Sequence, residues 1–444
     1  MRSGVRLLVL IAVSGSFWLS AASAQDRETK VKADRVKIAE IGGWIYNDLS
    51  AATEIARAKN KPILVVFRCI PCEACQEFDD DVARRDARVR DLLDRFVCVR
   101  IVQCNDLDLT RFQHDFDQSF AITFLHADGT ILGRFGTRSN HDDESQDISI
   151  EGLRETLQDV LALHAGYEAV RDTLKGKSVV TALFPTPLEY PSLKGKYKPG
   201  LSEAEGQVAR SCVHCHQVGE AERRFFRDQA LPIPDVVLFP YPNPTVIGMR
   251  MNPQRSATIL EITPESPAAQ SGLKTGDRLK RINKQPIVST ADIQWILHHA
   301  ADTAELEAEV NRDGTRVQAR IQLPAGWRRR GDLSWRATTW DLRRMALGGL
   351  KLAPLPGSER ARLGLAPGKL ALVAEHVGEF GDHAVVKAAG MRKGDVVVEF
   401  DGRDEAATET NLIAHAVQSH RPGDLVSLTF VREGKTQVVK IRQQ

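Results

Sequence analysis

Ile63-Leu64-Val65-Val66-Phe67 runs without a polar residue, and Cys69-Ile70-Pro71-Cys72-Glu73-Ala74-Cys75 follows almost at once. Five apolar residues in a row behind the breaker Lys61-Pro62 predict a strand buried on both faces. The polar stretch from Cys72 to Asp94 predicts a helix, so the cysteines stand where a strand hands over to a helix. There the helix dipole and open N–H groups favour a thiolate at the first cysteine, and a second one turn later can resolve a mixed disulfide. Working outward, Asp48 to Lys59 predicts a helix, and Phe96 to Val102 and Phe120 to Leu125 predict strands. Asp128-Gly129 turns into Thr130 to Phe135 as a hairpin. Ser149 caps a helix whose one face is Leu153, Leu157, Val160, His164, Tyr167 and Val170. The alternation predicts an α/β sheet layered with helices over residues 42–172.

The whole chain has 444 residues, room for about three domains. Its 60 basic and 58 acidic residues leave a net charge of +2, which excludes a general polyanion binder, nucleic acid included. Seven cysteines are too few for a disulfide scaffold, but five of them lie in two tight clusters.

Arg2 and Arg6 precede an apolar stretch from Leu7 to Leu19, and Ala22-Ser23-Ala24 offers a small-x-small cleavage site before Gln25. Residues 1–24 read as a secretory signal peptide, because an apolar core of about 13 residues is short for a membrane span. No cysteine precedes Cys69 to carry a lipid, and no later apolar run is long enough to span. The expected address is the periplasm, where thiols meet oxidants. Residues 25–40 are polar and predict a loose leader.

Residues 173–244 read as a linker, marked by Pro185, Pro187, Pro191 and Pro199 and again by Pro232 to Pro244. Within its 200–225 segment, Ser202 and Glu205 form a capping box for a short helix that runs into Cys212-Val213-His214-Cys215-His216. Cys-x-x-Cys-His is the attachment signature of c-type haem, with Cys212 and Cys215 bonding the vinyl groups and His216 as proximal ligand. Met249 and Met251 are candidate distal ligands, although their place beside an opening strand suits core packing. Zinc on Cys212, His214, Cys215 and His216 competes, in cramped tetrahedral geometry. A plain disulfide is the third alternative.

The first cluster also leaves alternatives open. Cys98 and Cys104 are about 20 Å apart if on one strand and cannot bridge. Cys104, at that strand's end, can approach Cys69, so Cys69, Cys72, Cys75 and Cys104 could hold copper or zinc. A static disulfide with buried thiols is the bland alternative.

Residues 42–165 resemble the thioredoxin-like family: Trp44, Lys61-Pro62, Cys72-Glu73-Ala74-Cys75 and Asp128-Gly129 fall in its order. The resemblance implies that Cys72 attacks and Cys75 resolves. The family places a cis-proline before its third strand, facing the dithiol. Here that place falls near Phe120 and Ala121, and no proline lies between Pro71 and Pro185. Since that proline keeps metals from the thiols, its absence leaves room for one.

The remainder is a repeat. Ser266-Pro267-Ala268-Ala269 with Gly272-Leu273 and Gly276-Asp277 is answered by Ala388-Ala389-Gly390-Met391 with Gly394-Asp395. Both copies resemble PDZ domains, over 245–323 and 345–442. The resemblance implies a carboxylate loop at Ile247, Gly248 and Met249, whose N–H groups hold a partner chain's C-terminus while the peptide adds a strand. In the second copy the loop is expected near Leu363-Gly364-Leu365. PDZ domains on an exported chain suggest a Deg-type serine protease, but no Gly-x-Ser-x-Gly occurs and Ser266 belongs to the repeat's own turn. Between the copies, over 324–344, Trp327, Trp335 and Trp340 alternate with arginines, which predicts an inter-domain staple through cation–π stacking. Docking on anionic lipid is its alternative.

The order of parts resembles the thioredoxin-like/PDZ (seleno)protein family of exported bacterial proteins. The expected fold is multidomain, an α/β thioredoxin-like domain followed by two small α+β PDZ domains. The expected function is thiol–disulfide exchange at Cys72 and Cys75, with PDZ domains recruiting partner chains and a haem for electron transfer. A non-enzymatic scaffold and a metal-binding protein are the alternatives.

Overall fold

The computed structural model describes residues 15–70, 76–140, 143–178, 181–202 and 208–444. Its N-terminal unit comprises α1 (Gly15–Ile41), β1 (Trp44–Tyr46), α2 (Leu49–Lys59), β2 (Ile63–Arg68), α3 (Gln76–Ala83), α4 (Arg90–Leu93), β3 (Val97–Ile101), β4 (Phe120–Leu125), β5 (Ile131–Phe135), α5 (Ile150–Ala165) and α6 (Tyr167–Leu174). The strands order as β1-β3-β2-β4-β5. The first three are parallel and the last two antiparallel. β2 is central and buried along its whole length, as its apolar run requires. Asp48 and Ser149 cap α2 and α5 by accepting from the Ala51 and Gly152 amides.

Three expectations need correction. The helix expected over 72–94 is broken, with Arg85 in the left-handed region at φ 57° between α3 and α4. The helix begun at Ser149 breaks at Gly166, so Tyr167 and Val170 belong to α6. Residues 25–40 are not a loose leader but part of α1, which also runs through the expected cleavage point after Ala24. Val31 and Ile38 are buried, and Asp34 between them accepts from Arg100 and Tyr46. One inward face at helical spacing suffices to dock an otherwise polar helix.

The proline-rich stretch is packed rather than strung out. It contains α7 (Cys215–Asp228) and α8 (Asp235–Leu238). Tyr190, Leu193, Val213 and Val218 join the core under β2 and β3, while Ile233, Val237, Leu238 and Phe239 join the core of the last repeat. The helix expected before Cys212 is described only as a single tight turn, Ala209–Ser211. Glu205 lies outside the described residues.

The first repeat comprises β6 (Met249–Met251), β7 (Ile259–Ile262), α9 (Pro267–Gln270), β8 (Arg278–Ile282), β9 (Gln285–Pro286), α10 (Thr290–His299), β10 (Ala304–Arg312) and β11 (Thr315–Leu323). After α11 (Thr339–Leu347), the second comprises β12 (Leu350–Pro354), α12 (Gly357–Arg362), β13 (Leu372–Val377), α13 (Val385–Ala388), β14 (Val396–Phe400), α14 (Glu409–Ser419), β15 (Leu425–Arg432) and β16 (Lys435–Arg442). The two share a device that the sequence repeat encodes. Asp277 accepts from the Lys274 amide and pairs with Arg312, and Asp395 does the same with the Arg392 amide and Arg432.

The units dock directly. Lys177 and Asp292, each 1% exposed, pair at 2.6 Å between the N-terminal unit and the first repeat. Thr156 Oγ1 and Ser256 Oγ lie 2.7 Å apart across the same boundary. A Cβ on Gly152 would come within 2.3 Å of the Pro253 carbonyl, so only glycine permits the approach. The Trp/Arg segment is the expected staple. Arg328 donates to the Leu297, His298 and Ala300 carbonyls at the end of α10. Arg336 lies over Trp335, pairs with Asp115 and Asp117 of the N-terminal unit and donates to the Pro240 carbonyl.

Candidate functional site

At the C-terminal end of β2 the Cys69 amide donates to the Ser119 carbonyl, at the start of β4. Below it lies a buried ladder of charge. Arg68 bonds Asp79 at 3.0 Å, Arg100 grips both Asp79 oxygens at 2.7 Å, and Asp34 holds the far side of Arg100. Burial works against an ionised Asp79, yet Arg100 and Arg68 hold it below the usual carboxylate range. This floor fixes the end of β2.

Onto it folds the second cysteine cluster. Cys215 is the first residue of α7, and its sulfur lies 2.9 Å from that of Cys104. His214 Nδ1 lies 3.4 Å from Cys69 Sγ. Cys212 Sγ faces the Val213 carbonyl at 3.4 Å and the Val102 carbonyl at 3.9 Å. Residues more than a hundred positions apart thus form one sulfur-rich centre, buried among Val213, Val218 and Ala221. Cys72 and Cys75 lie outside the described residues.

Asn105 clasps the turn in place. Its Oδ1 accepts from the Val213 amide, and its Nδ2 faces the Lys198, Gly200 and Ser211 carbonyls. Sequence reasoning passed over it, since a lone asparagine carries no motif. Cys98 stands apart: it sits among Leu93, Phe96 and Phe124 in the other core, donates to the Leu93 carbonyl and is pushed by burial up to about 12. That is an inert structural thiol.

The chemistry follows from pairs. A sulfur at the first position of a 14-residue helix sits where negative charge is favoured. An imidazole beside Cys69 can take its proton. Among the described residues no three of these sulfur and ring-nitrogen donors lie within 4.8 Å of one another. The four donors Cys212, His214, Cys215 and His216 therefore do not converge as tetrahedral ligands must, while the set Cys69, Cys72, Cys75 and Cys104 has two members outside the described residues. Haem fits poorly too. A thioether to Cys215 would have to take its sulfur from Cys104 and open the apolar packing around Val213. Met249 and Met251 are buried in the first repeat's core, as packing residues.

The repeats differ at their edge strands. In β6 the Thr263 and Asn252 amides pair inward with Gly248 and Thr258, which turns the Met249 and Met251 amides outward. Neither has a partner among the described residues. Gly248 takes φ 86°, and its amide is used by Thr245. In β12 the same alternation turns Leu350 and Leu352 outward. There the Leu352 amide is taken by Glu409 Oε1 at 2.8 Å, and Arg343 clamps Glu409 at 2.7 and 2.9 Å. The loop before β12 is Leu347-Gly348-Gly349, with φ 61° and 89° at the glycines. The counterpart of Ile247-Gly248-Met249 is therefore here and not at Leu363-Gly364-Leu365, which follows α12. The Gly-Gly pair before an apolar alternation was the overlooked signal.

Comparison with known proteins agrees with this layout. The family described as "Thioredoxin-like" matches residues 44–127, and "PDZ domain" matches 245–323 and 382–442. The chain carries a thioredoxin-like domain and two PDZ domains. It is similar to proteins named probable periplasmic serine endoprotease DegP-like. That of Pseudomonas savastanoi pv. phaseolicola is 24% identical over 189 residues, which is 42% of this chain and 37% of the relative. That of Pseudomonas fluorescens is 27% identical over 197 residues, with the same shares. The chain thus spans little more than a third of the length of these curated relatives. A solved structure titled HtrA-type protease AlgW with decapeptide is 15% identical, covers 32% of this chain and 48% of its own, and has a TM-score of 0.21. Among the described residues no helix is long and apolar enough to cross a membrane.

Proposed function

We propose that this thioredoxin-like PDZ protein is an exported thiol–disulfide redox protein whose first PDZ domain captures partner chains. The observation that carries the reading is the 2.9 Å contact between Cys104 and Cys215, which joins the Cys-x-x-Cys-His turn to the thioredoxin-like domain. Cys72 and Cys75 act as the exchanging dithiol, and Cys104 and Cys215 as a second couple. In each exchange two thiols give up two electrons and two protons to form one S–S bond, and the partner's disulfide takes them up to become two thiols. His214 receives the proton of Cys69. No step is assigned to a haem. Export, by a signal peptide cleaved after Ala24, supplies the oxidising surroundings, and the periplasmic relatives support that address.

Insulin reduction, together with disulfide mapping by mass spectrometry, tests the reading. Cys72→Ser should abolish turnover, Cys215→Ser should slow it, and oxidised wild type should yield a Cys104–Cys215 cross-link. No insulin reduction above background by the wild type, with no such cross-link, would leave a PDZ scaffold, which the outward amides of β6 support on their own. An absorption spectrum of protein exported from a haem-attaching host tests the rival: reduced α and β bands that survive acid–acetone extraction would put haem on Cys212 and Cys215.

A further inference from the structure

The second PDZ domain carries a cluster that neither the thiols nor the peptide edge uses. Asp401 stands in the turn after β14, His415 on the last turns of α14, and His420 at its C-cap. Both Nε2 atoms, of His415 and of His420, lie 2.7 Å from the same carboxylate oxygen, Asp401 Oδ2. His420 can reach because it has left the helix, with extended backbone at φ −121° and ψ 148°. The two rings stand nearly perpendicular, at 87°. The three side chains are 12–27% exposed, so the cluster is supported by the fold yet open to solvent.

Hydrogen bonding between neutral side chains leaves one ring nitrogen badly placed. If each neutral imidazole donates from Nε2 to Asp401, each Nδ1 is left as an acceptor. For His415 that is acceptable, because the Ser419 hydroxyl lies 3.1 Å away and can donate. For His420 it is not, because Nδ1 then turns a lone pair toward the Asp424 carboxylate, 4.0 Å away. A cation bound to both Nε2 atoms reverses the assignment. Each Nδ1 then carries the proton and turns it toward Ser419 or Asp424, the outer-shell pattern of histidine metal ligands.

We infer that Asp401, His415 and His420 form a site for a divalent transition-metal cation of the zinc type, with an open fourth position for water. Two imidazoles and one carboxylate suit that class. Ligand atoms about 2.0–2.1 Å from a tetrahedral ion lie roughly 3.3 Å apart, so each Nε2 must draw about 0.6 Å away from Asp401 Oδ2 on binding. That movement is available to a turn residue and a helix cap. The site lies at the end of α14 opposite Glu409, away from the cysteines.

The test titrates the full-length protein with Co²⁺ and Zn²⁺. Cobalt on nitrogen and oxygen ligands gives visible d–d bands without thiolate charge-transfer absorption, which separates this site from the sulfurs. The wild type should bind one more equivalent than His420→Gln. Asp401→Asn should weaken that equivalent at least tenfold, and Asp424→Asn about tenfold. Zn²⁺ should raise the melting temperature of the wild type and not of His420→Gln. Circular dichroism of metal-free variants checks that they fold. Equal stoichiometry and equal melting shifts in wild type, His420→Gln and Asp401→Asn would overturn the site and leave the cluster as hydrogen bonds and ion pairs alone.

Discussion

A single side chain, Asn105, holds the candidate site together. It is fully buried, and its polar atoms serve a backbone N–H and three carbonyls of the incoming turn. Asn105→Ala should cost about 2–4 kcal/mol, because several buried backbone groups lose their partner at once. The same variant should lose the Cys104–Cys215 cross-link in mass spectra, whereas a Cys98→Ala control should keep it. Glu222 offers a pH test. It lines a cavity of about 470 Å³ where the thioredoxin-like domain, the α7 segment and α10 meet. Burial pushes its carboxyl up to about 7. The folded chain then keeps a proton that the unfolded chain releases near pH 4.5, so this group's share of stability falls as pH rises from about 4.5 to 7. Glu222→Gln should flatten that slope and be more stable at pH 8 by about 2 kcal/mol, a figure reduced because the side chain is part-exposed. Denaturant titrations across pH check it.

Among elements, the edge strands show how alike sequences part. β6 and β12 both open a PDZ domain and both turn alternate amides outward, but one Glu409 on α14 has occupied the second. A peptide with a free C-terminal carboxylate should therefore bind with a stoichiometry of one per chain, and binding should survive Glu409→Gln while a bulky Met251→Trp weakens it. Calorimetric titration checks both. Elements were also where the sequence spoke most clearly. The apolar run of β2, the caps Asp48 and Ser149 and the paired Gly-Asp turns all act within a few residues, so local chemistry settles them. What stayed hidden was long-range. Cys212-x-x-Cys215-His216 has the spacing of a haem motif, and nothing within those five residues reveals that Cys215 faces a cysteine 111 positions earlier. The polar face of α1 likewise masked an inward row of Val31, Asp34 and Ile38, because the partner that rewards it, Arg100, comes far later in the chain.

At the scale of the whole molecule, three domains that composition would string on prolines are locked by buried charge. Arg336 binds Asp115, Asp117 and the Pro240 carbonyl at once, with its side chain 5% exposed. Removing it takes the ion-pair partner from two buried carboxylates, of which Asp117 keeps its bonds from Thr338, a loss of about 3–5 kcal/mol. Calorimetry should show one cooperative transition for the wild type and a split one for Arg336→Ala, since the thioredoxin-like domain then melts apart from its neighbours.

The glycine at position 152, pressed against the Pro253 carbonyl, has an effect on selection as well as on stability. Domains joined by slack chain would let a captured partner present any cysteine along its length. Under the function proposed above, domains clamped this tightly act instead as a caliper, with the jaw at β6 and the Cys104–Cys215 pair a set span apart. On that reading only a partner whose cysteine lies a fixed number of residues from its own C-terminus matches the opening, in the way a linker works best when its reach equals the gap. Synthetic peptides with the cysteine moved one position at a time should exchange fastest at one spacing, and Gly152→Ala, by prying the jaw loose, should blur that maximum into a plateau.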